Sequence, residues 1–142
     1  MKGIDLRVTE SGNYELDTNH EAVGKILVEL SKVPSESRLG VARALLAASA
    51  TYCFAGSLNF MLRTREVRVN SLTASSTLEM GKSESGKTVV KSIDIDVSVN
   101  VPKDMLGVLE SCFKLAEDGC LITQSLNKGI IVNHEIKYID KD

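Results

Sequence analysis

Between Arg43 and Arg63 the chain runs for nineteen residues, Ala44 through Leu62, without a charge. A stretch of that length matches the thickness of a bilayer core. Ser49, Thr51, Tyr52, Gly56, Ser57 and Asn59 lie inside it, however, and make it too polar to face lipid. The favoured reading is a long helix buried in a protein core, with no membrane partner. Cys53 sits near its middle. At helical spacing its neighbours are Ser49, Ala50, Gly56 and Ser57, all small. The thiol therefore lies in a groove that another helix or a ligand can enter.

With 142 residues the chain is long enough to bury a core without disulfide staples, and no linker or repeat divides it. One domain over residues 1–142 is expected. Its 17 basic and 19 acidic residues nearly cancel, so nothing advertises a nucleic-acid partner. The first residues, Met-Lys-Gly-Ile-Asp-Leu-Arg-Val, lack the apolar run of a signal peptide, and a cytoplasmic location is expected. In that compartment three cysteines read as free, catalytic or redox thiols and not as a disulfide framework. Trp is absent, which leaves an aliphatic core.

Ile4, Leu6 and Val8 alternate with polar residues, Ser11-Gly12-Asn13 is a turn signal, and Tyr14 and Leu16 resume the alternation. Residues 3–18 thus read as a β-hairpin with Arg7 as a solvated strand charge. Residues 22–30 fit either a short third strand or a helical turn. After Pro34, Ser35 or Ser37 can cap the long helix, which extends to about Arg63. A second sheet is expected from Glu66, with a bend or bulge where the apolar phase slips at Asn70-Ser71. Gly81 to Gly86 is a polar hairpin loop. Its Gly81-Lys82-Ser83 lacks the upstream glycine and following helix of a phosphate loop. The clearest strand follows, with Ile93, Ile95, Val97, Val99 and Val101 on one face. Asp94 and Asp96 share the other face, where solvation is the favoured reading over cation binding.

Pro102 opens an amphipathic helix whose apolar stripe holds Met105, Leu109, Cys112 and Ala116. Cys112 is therefore a packed core residue. Gly119 is placed as the C-cap, and Cys120 lies just beyond it, where the backbone turns. Leu121 to Leu126 fit a further helical turn. A closing strand is expected, with Ile130, Val132, His134, Ile136 and Tyr138 on one face. His134 then reads as a core or interface histidine, since only His20 could join it on a metal. The order ββ(β)–α–ββ–α–β describes an α+β fold.

Cys53 and Cys120 are the two thiols with chemical promise. A dithiol reduces a peroxide when one thiolate attacks oxygen and a second thiol resolves the sulfenic acid as a disulfide. The attacking sulfur must be ionised by nearby positive charge or hydrogen-bond donors. Spacing alone leaves open whether these two are redox thiols or inert packing residues.

Leu45-Leu46-Ala47-Ala48 is followed by Cys53, seven residues after the second leucine. Further on come Val101-Pro102-Lys103-Asp104, an amphipathic helix, the run Ala116-Glu117-Asp118-Gly119-Cys120-Leu121-Ile122-Thr123-Gln124-Ser125-Leu126, and a strand after Lys128-Gly129. Over about residues 40–137 this pattern resembles the OsmC/Ohr family of osmotically inducible and organic hydroperoxide resistance proteins. The resemblance implies antiparallel sheets wrapped around a long central helix in an intertwined homodimer. It also implies active sites at the subunit interface and thiol-dependent reduction of organic hydroperoxides or hydrogen peroxide without metal or haem. Carried over by position, Cys53 is the attacking thiol and Cys120 the resolving one. Re-reduction by lipoylated proteins or other dithiols is implied as well. Four departures stand out. Arg43 occupies the position of a family glutamate, and the turn Glu10–Asn13 holds no arginine where the Ohr branch has one. Leu121 replaces a common proline, and Tyr52 a frequent glycine. In the family that Glu–Arg pair polarises the attacking thiolate. On a straight helix Arg43 lies about 15 Å from Cys53, at roughly 1.5 Å per residue. Two alternatives accompany the peroxidase reading. One is a catalytically degenerate protein that binds an apolar molecule in the groove around Ser49, Cys53 and Ser57; the other keeps both thiols as packing residues.

Overall fold

A computed structural model describes residues 1–137. By its internal contacts the chain divides into two units, Met1–Leu45 and Leu46–Asp142. In the first, strands β1 (Asp5–Val8), β2 (Tyr14–Asp17) and β3 (Lys25–Val28) form an antiparallel sheet in that order. Leu6, Leu16 and Ile26 lie opposite one another, as do Val8, Tyr14 and Val28, so the alternation in the sequence becomes one apolar face. The ambiguous stretch 22–30 thus supplies a third strand. Arg7 sits on the exposed side, 3.4 Å from Glu15.

Helix α1 spans Val41–Thr64. It starts later than a serine cap predicts. Ser35–Ser37 forms a separate 3-10 turn, and Gly40, at φ 89°, takes a left-handed conformation that few other residues adopt. The Gly40 carbonyl then accepts the first helical hydrogen bond, from the Ala44 N–H at 3.0 Å. The buried residues Ala47, Ala50, Phe54, Leu58 and Leu62 recur every three or four positions, so one stripe of the uncharged run is buried, while Tyr52 and Phe60 stand exposed outside it.

The end of α1 is a Schellman turn. The Val67 N–H donates to the Leu62 carbonyl and the Glu66 N–H to the Arg63 carbonyl, both at 3.0 Å, while Val67 and Leu62 pack in the same cluster. Glu66 occupies the left-handed position at φ 59°, where glycine is the usual resident. That conformation costs a side chain roughly 1–2 kcal/mol. Glycine offsets part of the gain by loosening the unfolded chain, by roughly 0.4–1 kcal/mol. Glu66→Gly is therefore expected to stabilise the protein by about 0.5–1 kcal/mol, read as a higher urea midpoint at unchanged slope. An unchanged or lower midpoint contradicts the turn geometry.

This turn occupies the residues where an early strand was expected, so the second sheet begins at Ser71 and not at Glu66. Strands β4 (Ser71–Lys82) and β5 (Thr88–Asn100) form a long antiparallel hairpin. Its irregularity is not at Asn70-Ser71 but farther along: Glu79 pairs with Ser92 and Met80 with Val90, leaving Lys91 as an extra residue on β5. Lys82 closes β4, its amine donates to Thr88 Oγ1 at 2.7 Å, and the chain returns as β5 instead of entering a helix. Asp94 and Asp96 stand on the exposed face, opposite Thr77 and Ser75. Among the described residues no group of three or more His, Cys, Asp or Glu side chains is placed to hold a metal ion.

After Pro102 a 3-10 turn at Lys103–Met105 leads into α2 (Leu106–Gly119), and α3 (Leu121–Lys128) follows directly. Phe113 of α2 meets Phe54 of α1 edge-on, with ring centroids 5.3 Å apart. The core of this unit joins Phe54, Leu58, Leu62, Val67, Cys112, Ala116 and Cys120, covered by Ile95, Val97 and Val99 of β5. Among the described residues the closing strand is not formed: residues 130–137 have no ladder partner there and lie exposed. An apolar alternation becomes a strand only when a neighbour satisfies its N–H and C=O groups. His134 is accordingly exposed, not a core residue of this chain. Tyr138 lies outside the described residues.

Candidate dithiol site

Cys120 is the residue at which two helices meet. It serves as C-cap of α2 and N-cap of α3, in an extended conformation at φ −67°, ψ 112°. Gly119, expected as the cap, is the last residue of α2, so the change of direction falls one residue later. The Cys120 N–H donates to the Ala116 carbonyl at 3.0 Å and its carbonyl accepts from the Gln124 N–H at 2.9 Å. Both helices are thereby closed on one residue, and the side chain, fully buried, is held at the start of α3.

The other thiol comes from the middle of α1. Cys53 is half-buried and packs against the cluster that contains Cys120. The α2–α3 junction, with Cys120, Leu121 and Ile122, faces it. Ser57 does not address the sulfur, because its hydroxyl donates to the Cys53 carbonyl at 2.7 Å. The two sequence-predicted site residues thus come together across 67 positions of chain.

Their surroundings are unequal. Burial pushes the Cys53 thiol up, and so do its hydrogen bond to Cys120 and the negative charge of that residue; the N–H groups of Ile122 and Leu121 oppose this only in part. Burial also raises Cys120, but the hydrogen bond from Cys53 and those of the Thr123 hydroxyl, Thr123 N–H and Ile122 N–H outweigh it and leave the thiol lowered. The two N–H groups do not close a cap hydrogen bond on the sulfur, yet they face it at the positive end of α3. Two thiols in contact release their first proton as a pair.

None of the principal groups acting on either sulfur is a basic side chain. Arg43 folds its guanidinium against Gly40 in the Met1–Leu45 unit. The third cysteine, Cys112, is fully buried in the core, as its place on the apolar stripe predicts. Arg65 Nη1 lies 3.3 Å from its sulfur, a contact with no counterpart in the sequence pattern. Thr123 was also missed. The signal available was its position, third after a residue that ends one helix and begins another, where an N-cap side chain looks for partners. Thr123 also lines a cavity of about 260 Å³ with Leu46, Ala50, Ile93, Ile95 and Leu126. The two sulfurs are not part of that lining.

A long central helix, two antiparallel sheets and a half-buried thiol meeting a buried one at a helix junction define an α+β protein with two thiols in contact. The profile of the family described as OsmC-like protein matches residues 42–135, and the chain belongs to that family. Among solved structures it is similar to an OsmC-like protein from Mycoplasma pneumoniae, with TM-score 0.68 and 14% identity over 89% of this chain and 87% of that one. An OsmC-like protein of unknown function from Vibrio cholerae gives TM-score 0.64 and 19% identity over 87% and 93%. An OsmC-like hydroperoxide resistance protein from Jannaschia gives 0.55 and 20% over 96% and 91%. At these identities the likeness is one of fold. No curated protein matches the chain.

Proposed function

We propose that this protein is a thiol-dependent peroxidase that reduces organic hydroperoxides or hydrogen peroxide, with Cys53 oxidised first and Cys120 completing a disulfide. The observation that carries this reading is the meeting of the two thiols, one half-buried and one sealed, with backbone donors aimed at both. The half-exposed sulfur is the one a peroxide can reach. Its buried partner is already in place to capture the sulfenic acid before further oxidation. The cavity past Thr123 offers Leu46, Ile93, Ile95 and Leu126 to the organic part of a hydroperoxide, beside the polar Lys91, Ser92 and Asn127. The disulfide then requires an external dithiol, for which a lipoylated protein is a fitting class. We place the protein in the cytoplasm, where its thiols stay reduced.

The working unit in this proposal is a homodimer. Ile130, Ile131, Val132 and Ile136 are exposed on a segment that has strand alternation but no strand partner, and Tyr52 and Phe60 are exposed on α1. A second copy would cover such surface.

Titration of the reduced protein with cumene hydroperoxide, followed by peptide mass spectrometry, tests the assignment. One Cys53–Cys120 disulfide per chain is expected at one equivalent of peroxide. A bridge through Cys112, or full retention of free thiols, overturns it.

A further inference from the structure

The cavity past Thr123 has walls one helical turn from each thiol. On α1 its lining includes Ala50, three residues before Cys53, and on α3 Thr123, three residues after Cys120. Its volume is about 260 Å³. At roughly 30 Å³ for a group the size of a water molecule, it holds about eight or nine such groups. Leu46, Ile93, Ile95 and Leu126 make most of the wall apolar. Lys91 is the one charged side chain in the lining, and among the described residues no Asp or Glu joins it there. Lys91 is also the extra residue of the β5 bulge, a device that re-aims a side chain. Its stem lies across Gly81 of β4, where a Cβ would stand 2.7 Å from Cγ and 2.8 Å from Cε. Its ammonium takes part in none of the ion pairs found among the described residues. The neighbouring Ser92 hydroxyl faces Glu79 and Asp94, each at 3.4 Å, which leaves Lys91 and Asn127 for the polar end of a ligand.

We propose that this cavity binds a carboxylate carried on a chain of about eight carbon atoms, with Lys91 as the residue that selects the charge. The apolar wall takes the chain, the Lys91 ammonium pairs with the carboxylate, and the Asn127 amide donates a hydrogen bond to it. An uncompensated cation beside an apolar wall favours an anion over a neutral molecule of the same size. As a statement about substrate, the proposal rests on the peroxidase reading: organic hydroperoxides that carry a carboxylate are preferred to neutral ones. Lys91 makes or breaks no bond, and the redox chemistry stays with the thiols.

Octanoate and octanol, titrated into the reduced full-length protein without peroxide and followed by amide NMR, test this. Octanoate is expected to shift the resonances of Lys91, Thr123 and Leu126. Lys91→Met keeps the length of the side chain and removes its charge. It should weaken octanoate binding roughly 3–10-fold and change octanol binding by less than ~2-fold, while Lys91→Arg should retain octanoate. Octanoate that shifts none of these resonances overturns the proposal, and so does a Lys91→Met variant that binds octanoate as the wild type does or weakens both probes equally. In turnover, octanoate should raise the KM for cumene hydroperoxide at unchanged kcat, and do so less in Lys91→Met. Octanoate that binds without competing overturns the preference for carboxylate-bearing substrates. Wild-type protein that binds octanoate as expected but turns over no hydroperoxide would sink the peroxidase reading and leave the carboxylate site standing.

Discussion

Cys53→Ser is expected to reduce dithiol-dependent turnover of cumene or tert-butyl hydroperoxide to the uncatalysed background. A serine hydroxyl does not ionise near neutral pH and forms neither a sulfenic acid nor a disulfide, so both halves of the cycle stop. The fold should be retained. The residue is half-buried, its neighbours on α1 are small, and the substituted oxygen keeps a proton to give to Cys120. Coupled consumption of dithiol measures the activity, and an unchanged circular dichroism spectrum with an unchanged unfolding midpoint establishes that the loss is chemical. Cys112→Ala provides the comparison. Its thiol is sealed in the core beside Arg65, so turnover should survive and only stability should fall. Turnover that persists in Cys53→Ser removes the basis for assigning peroxidase chemistry to this site.

Residues whose role is set by local pattern were legible in the sequence. The alternation of Leu6, Val8, Tyr14 and Leu16 gave a hairpin, and the stripe through Leu109, Cys112 and Ala116 gave an amphipathic helix with a buried thiol. Legibility failed where one residue's backbone angle decides the outcome. Gly40 at φ 89° splits a run that continuous helical spacing would have joined, and Glu66 at φ 59° turns the chain where alternation suggested a strand. It also failed where an element needs a neighbour, as for residues 130–137. The site was half legible. Cys53 and Cys120 were named from their positions and from a family likeness, but the unequal surroundings of the two sulfurs depend on the N–H groups at the start of α3 and on Thr123. Those groups mean nothing until the helix junction exists.

Leu58→Ala is expected to destabilise the protein by about 2–5 kcal/mol. Leu58 is 0% exposed and lies one turn from both Phe54 and Leu62 on the buried stripe of α1. Truncation removes its contacts and leaves a hole that the Phe54–Phe113 pair, β5 and α2 cannot all close into at once. Since native domains are stable by only about 5–15 kcal/mol, one such change consumes much of the margin. Urea unfolding followed by circular dichroism reads it as a large fall in midpoint. Tyr52→Ala, on a residue 80% exposed, separates the two roles of α1. Within a single chain it should shift stability by no more than about 0.5 kcal/mol. A larger loss that shrinks as protein concentration rises would show Tyr52 buried against a second copy, as the homodimer proposal requires. A small effect from Leu58→Ala would instead mean that the helix from Val41 to Thr64 is not the core around which β5 and α2 are packed.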